Sequence, residues 1–144
     1  MTLNELLNKI YEDGTALGAC ASFTRQTTLN GIVEMLFSAQ GIEFCTKYRF
    51  PSIDVLREFN KYHIDEFNVF IDAGEITLTD VQRVFLIGDT TAHVRCAQTQ
   101  NYSVCLMHGA RATVDADGFA VVRIEKDKRS KIETHAHAHA KFLK

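Results

Sequence analysis

Apolar residues in the second half of the chain recur with a long period. Ile76, Val94, Val114 and Ile132 follow one another at separations of 18, 20 and 18, and Leu86, Leu106, Ile124 and Phe142 at separations of 20, 18 and 18. Each rung sits in a short alternating stretch, such as Thr91-Ala92-His93-Val94-Arg95-Cys96 or Ala112-Thr113-Val114-Asp115-Ala116. Alternation with a period of two puts successive side chains on opposite faces, so these stretches predict strands. Turn residues lie between them: Gly88-Asp89, Gln100-Asn101, His108-Gly109, Asp117-Gly118 and Asp127-Lys128. A chain that returns to the same apolar position at such intervals stacks coil on coil, each burying a strip against its neighbour. The expectation is a short parallel β-solenoid of about four coils. An antiparallel β-meander or sandwich, with hairpins at Gly88-Asp89 and Asp117-Gly118, is the alternative.

The first half follows the helical period instead. Thr2-Leu3-Asn4-Glu5 fits a capping box, and Leu3, Leu6, Leu7, Ile10 and Tyr11 form one stripe that Gly14 is expected to end. A second helix starts at the Thr28 cap, carries Leu29, Ile32, Val33, Leu36 and Phe37, and is expected to break at Gln40-Gly41. A third, Ile42 to Tyr48, ends ahead of Pro51, and Ser52 caps a fourth with Val55, Leu56, Phe59 and Tyr62 inward. The fold class is therefore α+β: a helical cap over residues 1–66 and a β-repeat region over 67–144. No Pro- or Gly-rich linker separates them, which predicts that the two pack as one unit. In the repeats, Phe85, Ile87, Cys105 and Met107 are expected to face outward, an apolar patch that needs a cover. The helical stripes are the expected cover, and a homodimer through that face is the alternative to a monomer.

The formal net charge of -2 comes without any run of Lys and Arg interleaved with aromatics, so nucleic acid is not an expected partner. The basic run Lys126 to Lys131 reads as a solvated loop. No charged-then-apolar leader opens the sequence, and no apolar run approaches the roughly 20 residues that span a bilayer. A soluble, cytoplasmic protein with no membrane partner is expected. Cys20, Cys45, Cys96 and Cys105 have no CxxC spacing and read as free thiols, three of them buried.

The candidate chemistry lies in Thr134-His135-Ala136-His137-Ala138-His139-Ala140. On a strand, His135, His137 and His139 share one face, neighbours about 7 Å apart, a spacing at which two imidazoles chelate zinc or another transition metal. The third ligand would come from His93, His108, Glu125 or Glu133, none of which the ladders place beside the histidines. The competing reading leaves these histidines on the solvent face of the last coil, with the alanines in a narrow interior. Asp115 and Asp117, next to Gly118, read as a turn ahead of an acid/base dyad. Ser103 and Cys105 have no partner base, and the motifs of hydrolases, P-loop enzymes, dinucleotide binders and zinc proteases are absent.

Two resemblances add to this. A coil of this length is similar to the left-handed hexapeptide-repeat solenoids of acyltransferases and of one carbonic anhydrase class, which implies a trimeric enzyme with histidines at subunit contacts. The chain departs from that pattern, because its coils drift between the two spacings and it sustains no six-residue repeat. Separately, Leu36-Phe37 with Gln40-Gly41-Ile42-Glu43-Phe44-Cys45, Phe50-Pro51-Ser52 and Asp72-Ala73-Gly74-Glu75-Ile76-Thr77-Leu78 resembles a group of small uncharacterised bacterial proteins from anaerobe and mobile-element genomes. That resemblance implies no activity and no cofactor. The functional expectation is a non-enzymatic module that binds a protein partner. The alternatives are a metal-binding protein or metal-dependent enzyme using His135, His137 and His139, and a trimeric solenoid enzyme.

Overall fold

The computed structural model describes residues 1–144, which divide into two compact units, Met1–Phe67 and Asn68–Lys144. The first holds four helices, α1 (Leu3–Ala16), α2 (Leu29–Leu36), α3 (Ala39–Tyr48) and α4 (Ile53–Arg57), followed by two short 3-10 turns over 58–62 and 64–67. Each helix begins at a hydroxyl cap: Thr2, Thr28, Ser38 and Ser52 accept from the backbone N–H three residues on. The Thr2–Glu5 capping box forms as expected. Two boundaries differ from the sequence reading. Helix α1 runs on through Gly14 and ends at Leu17–Gly18. The break after α2 falls at Phe37–Ser38, because the Ser38 hydroxyl caps a new helix, and Gln40-Gly41 lies in its first turn. Glycine is required at 41, since a Cβ there would meet the carbonyl oxygens of Met35 and Leu36 at 2.3 Å.

The second unit is a parallel β-solenoid of about four turns, as expected. Its strands are β1 (Val69–Ile71), β2 (Gly74–Thr79), β3 (Arg83–Ile87), β4 (Thr90–Cys96), β5 (Asn101–Met107), β6 (Arg111–Ala116), β7 (Val121–Lys126), β8 (Lys131–Ala136) and β9 (Lys141–Leu143). Odd strands form one sheet in the order β1-β3-β5-β7-β9 and even strands a second, β2-β4-β6-β8, every pairing parallel. Each coil is thus two strands and two corners. The strands are not spaced by a six-residue repeat.

The register corrects the ladders. Val94 lies beside Val114 and Leu86 beside Leu106, as expected. Ile76, however, pairs with Ala92, Ala112 with Ile132, Val104 with Ile124, and Val122 with Phe142. The first coil is the shortest, setting Val69 beside Phe85 and Gly74 beside Thr90. Every later pairing advances by 20, as from Arg83 to Ser103 or from Thr91 to Arg111. A slip of two residues leaves every side chain on the same face, so alternation alone does not separate 18 from 20.

Between the sheets lies a dry strip of Val84, Leu86, Val94, Val104, Leu106, Val114, Val122 and Ile124, with Ala92, Ala112 and Ala116 on the even strands. Strands β3 and β5 are buried on both sides, Phe85, Ile87, Cys105 and Met107 included, the pattern of parallel strands apolar on both faces. The corners repeat with the coil. Gly118 (φ 61°) and Ala138 (φ 54°) occupy equivalent left-handed positions. At the corner between β7 and β8, Asp127 is buried, and its carboxylate accepts from the N–H groups of His108, Arg129 and Ser130 and from the Ser130 hydroxyl at 2.7 to 3.2 Å.

Two substitutions test this corner chemistry by urea unfolding. Asp127→Ala leaves several donors without an acceptor and should cost at least about 2 kcal/mol. Ala138→Gly relieves a left-handed alanine and should stabilise by about 0.5 to 1 kcal/mol.

Candidate functional site

The outward face of β2-β4-β6-β8 is polar throughout. Reading across the strands, Arg95, Asp115 and His135 share one row, and Thr91, Arg111 and Lys131 another. His93 lies one step back from that first row and reaches diagonally, so that its Nε2 is 2.6 Å from Asp115 Oδ2. From the other side His137 Nε2 approaches Asp115 Oδ1 at 3.7 Å. The hydrogen bond from His93, followed by the nearby charges of His93 and His135, holds the Asp115 carboxyl below the usual carboxylate range. His93, Arg95, Asp115, Asp117 and His137 line an open groove of about 290 Å³ on this face.

The three histidines singled out from the sequence do not share a strand face. Only His135 is on β8, where its Nε2 lies 3.7 Å from Glu133 Oε1. His137 and His139 belong to the corner that follows, because Ala138 takes a left-handed conformation and turns the chain. His139 stacks on Phe119 of the previous coil, ring centroids 4.7 Å apart and planes 12° from parallel. Among the side chains here, His93, Asp115, Asp117, Glu133, His135, His137 and His139 have metal-ligating atoms. No three His, Cys, Asp or Glu side chains converge on a common point at ligand distance.

Asp115 is not among the third ligands that the ladders offer. A rise of 18 puts it beside Glu133, whereas the observed register puts it beside His135. The signal for the correct rise is in the alanines: Ala92 and Ala112, Ala116 and Ala136, and Ala120 and Ala140 each recur at 20.

The second feature is the end of the stack. Five strands in one sheet and four in the other mean that β9 begins a coil for which the second sheet supplies no strand. Burial declines accordingly. Ala112, Val114 and Ala116 on β6 are buried; on β8, Ile132 and Thr134 are half-buried and Ala136 is exposed. Phe142 is half-buried, while Phe119 and Leu143 are 61% and 44% exposed. The N–H groups of Lys131 and His137 bond back to Ala110 and Ala116. In a parallel ladder the intervening residues Ile132, Thr134 and Ala136 therefore turn their N–H and C=O groups to the open edge.

The helical unit has a cavity of about 230 Å³ lined by Cys20, Phe23, Met35, Leu36, Phe44 and Cys45 among others. Cys20 is exposed, and hydrogen bonding from Ser22, 2.8 Å from its Sγ, lowers its thiol pKa. Burial pushes Cys45 up to about 12 and Cys96 up to about 11. No helix of the chain is long and apolar enough to cross a membrane. Comparison with protein-family models, with curated proteins and with solved structures finds no match.

Two measurements check this geometry. His93→Ala removes the main hydrogen bond to Asp115 and should raise that carboxyl's pKa, read by NMR titration. Because the folded pKa is the lowered one, the stability that the pair contributes is present above the ordinary carboxylate range and is lost as pH falls below it. Iodoacetamide should label Cys20 in the native protein and the other three cysteines only after unfolding.

Proposed function

We propose that this chain is a non-enzymatic interaction module that captures an extended segment of a partner protein by strand addition to the outer edge of β2. The observation that carries the reading is that β2 lies at the edge of its sheet and pairs only with β4. The N–H groups of Gly74 and Asp80 bond to Asp89 and Arg95, so the alternate residues Glu75, Thr77 and Thr79 turn their N–H and C=O groups away from β4. An unpaired edge of this kind is a template for another chain. The half-buried Ile76 and Leu78 lie on β2, so an added strand would bury apolar surface while it paired the backbone. The repeat scaffold supports the reading as well, since stacked coils present such an edge without rearrangement.

Panning a display library of short extended segments on the full-length chain tests this. Segments with alternating apolar residues should be enriched. Thr77→Pro removes an N–H that points away from β4, so the sheet keeps its own bonds. That variant should bind the enriched segments roughly tenfold more weakly. Recovery of no segment, or of segments that bind Thr77→Pro as tightly, would reject strand addition.

A further inference from the structure

The edge that β2 presents is short and bounded on both sides. Gly74 (φ 69°) and Asp80 (φ 55°) are left-handed, so the extended stretch between them is Glu75 to Thr79. Within it Ile76 and Leu78 pack against the core, and Glu75, Thr77 and Thr79 are exposed. The backbone N–H groups of Glu75, Thr77 and Thr79 meet no acceptor in the chain. Strand β1 begins the other sheet and differs, since its Val69 and Ile71 are buried.

From this edge we infer that the segment which pairs with β2 is β2 of a second copy of the chain, running antiparallel and centred on Thr77. The segment that suits the edge must be aliphatic at two alternate positions and uncharged opposite Glu75, and β2 itself has that pattern. In an antiparallel pair, facing residues that both turn their N–H and C=O groups to the seam exchange two hydrogen bonds. With the two-fold axis at Thr77, that residue faces its own copy and Glu75 faces Thr79 of the second copy at either end. All three outward-turned residues of each strand are then paired. The side chains agree with this register. Threonine meets threonine at the centre, which is a favourable cross-strand pair, and no two like charges stand opposite. Ile76 lies beside Leu78 of the second copy on the core face, so the dry strip continues across the seam. Asp80 adds no charge there, because its carboxylate accepts from the Ala97 N–H and the Tyr102 hydroxyl. Centring on Glu75 instead would oppose two carboxylates. Centring on Ile76 or Leu78 leaves Thr79 or Glu75 beyond the end of the facing strand. The two four-stranded sheets become one of eight, through a self-complementary contact that closes on itself.

This inference rests on the strand-addition reading, and one experiment separates the two. Sedimentation velocity on the full-length chain over about 1 to 500 µM reads the dimer, with the circular dichroism of each variant confirming its fold. The wild type should pass from monomer to dimer within that range. Thr77→Pro should raise the dissociation constant roughly tenfold or more. Thr79→Glu sets a carboxylate opposite Glu75 at both ends of the seam and should weaken the dimer by a similar factor. Adding Glu75→Lys to Thr79→Glu sets opposite charges across the same two positions and should restore the dimer. A dimer lost in Thr79→Glu and not recovered in the double variant would overturn the register centred on Thr77. A dimer that Thr77→Pro and Thr79→Glu both leave intact forms on another face and overturns the inference as well. If the chain stays monomeric throughout but binds panned segments more weakly in Thr77→Pro, self-pairing is wrong and strand addition stands. If it stays monomeric and binds no segment, both are wrong.

Discussion

The solenoid depends on backbone hydrogen bonds that run along the stack from each strand to the one a coil away, with every coil set in register on the last. Parallel pairing at a fixed rise puts equivalent positions above one another, so a residue that suits one coil must suit its neighbours. That is why Ala92 and Ala112, or Val94 and Val114, coincide on one sheet while Leu86 and Leu106 coincide on the other. It is also why the corners repeat their backbone conformation, with Ala138 holding a left-handed geometry that suits Gly118 a coil earlier. The same alignment brings Asp115 between His93 and His137, residues far apart in the chain.

The alternation of apolar and polar residues is enough to read the architecture. Strands, turns and capped helices follow from local periodicity and hydroxyl caps, and the long recurrence of apolar rungs makes parallel stacking the expectation over an antiparallel meander. The rise of the coil is harder to read, because large aliphatics at 18 and at 20 face the same way. Only small residues confined to narrow positions, Ala116 and Ala136 or Ala120 and Ala140, discriminate between the two. Everything that depends on neighbours across strands inherits that ambiguity. Asp115 therefore looks like a turn residue in one dimension, and the alternating histidines look like the continuation of a strand that in fact ends at Ala136.

In the helical unit the misplaced boundary has a similar origin. Gln40-Gly41 looks like a terminator in the sequence, yet Gly41 is there for the close approach of the α2 carbonyls, and Ser38 starts the next helix ahead of it. Helix breakers and close-approach glycines have the same composition. They are told apart by which hydroxyl lies three residues before them.

The decline in burial from β6 to β8 also has a dynamic side. In a stack where each coil contacts only its neighbours, stability is close to a sum of nearest-neighbour contributions, and a terminal coil has one neighbour where an inner coil has two. The coil containing β5 and β6, buried and with a neighbour on either side, is therefore among the last to let go. A strand that settles on the outer edge of β2 gives that strand a second neighbour, so occupancy would register as protection well beyond the residues it touches.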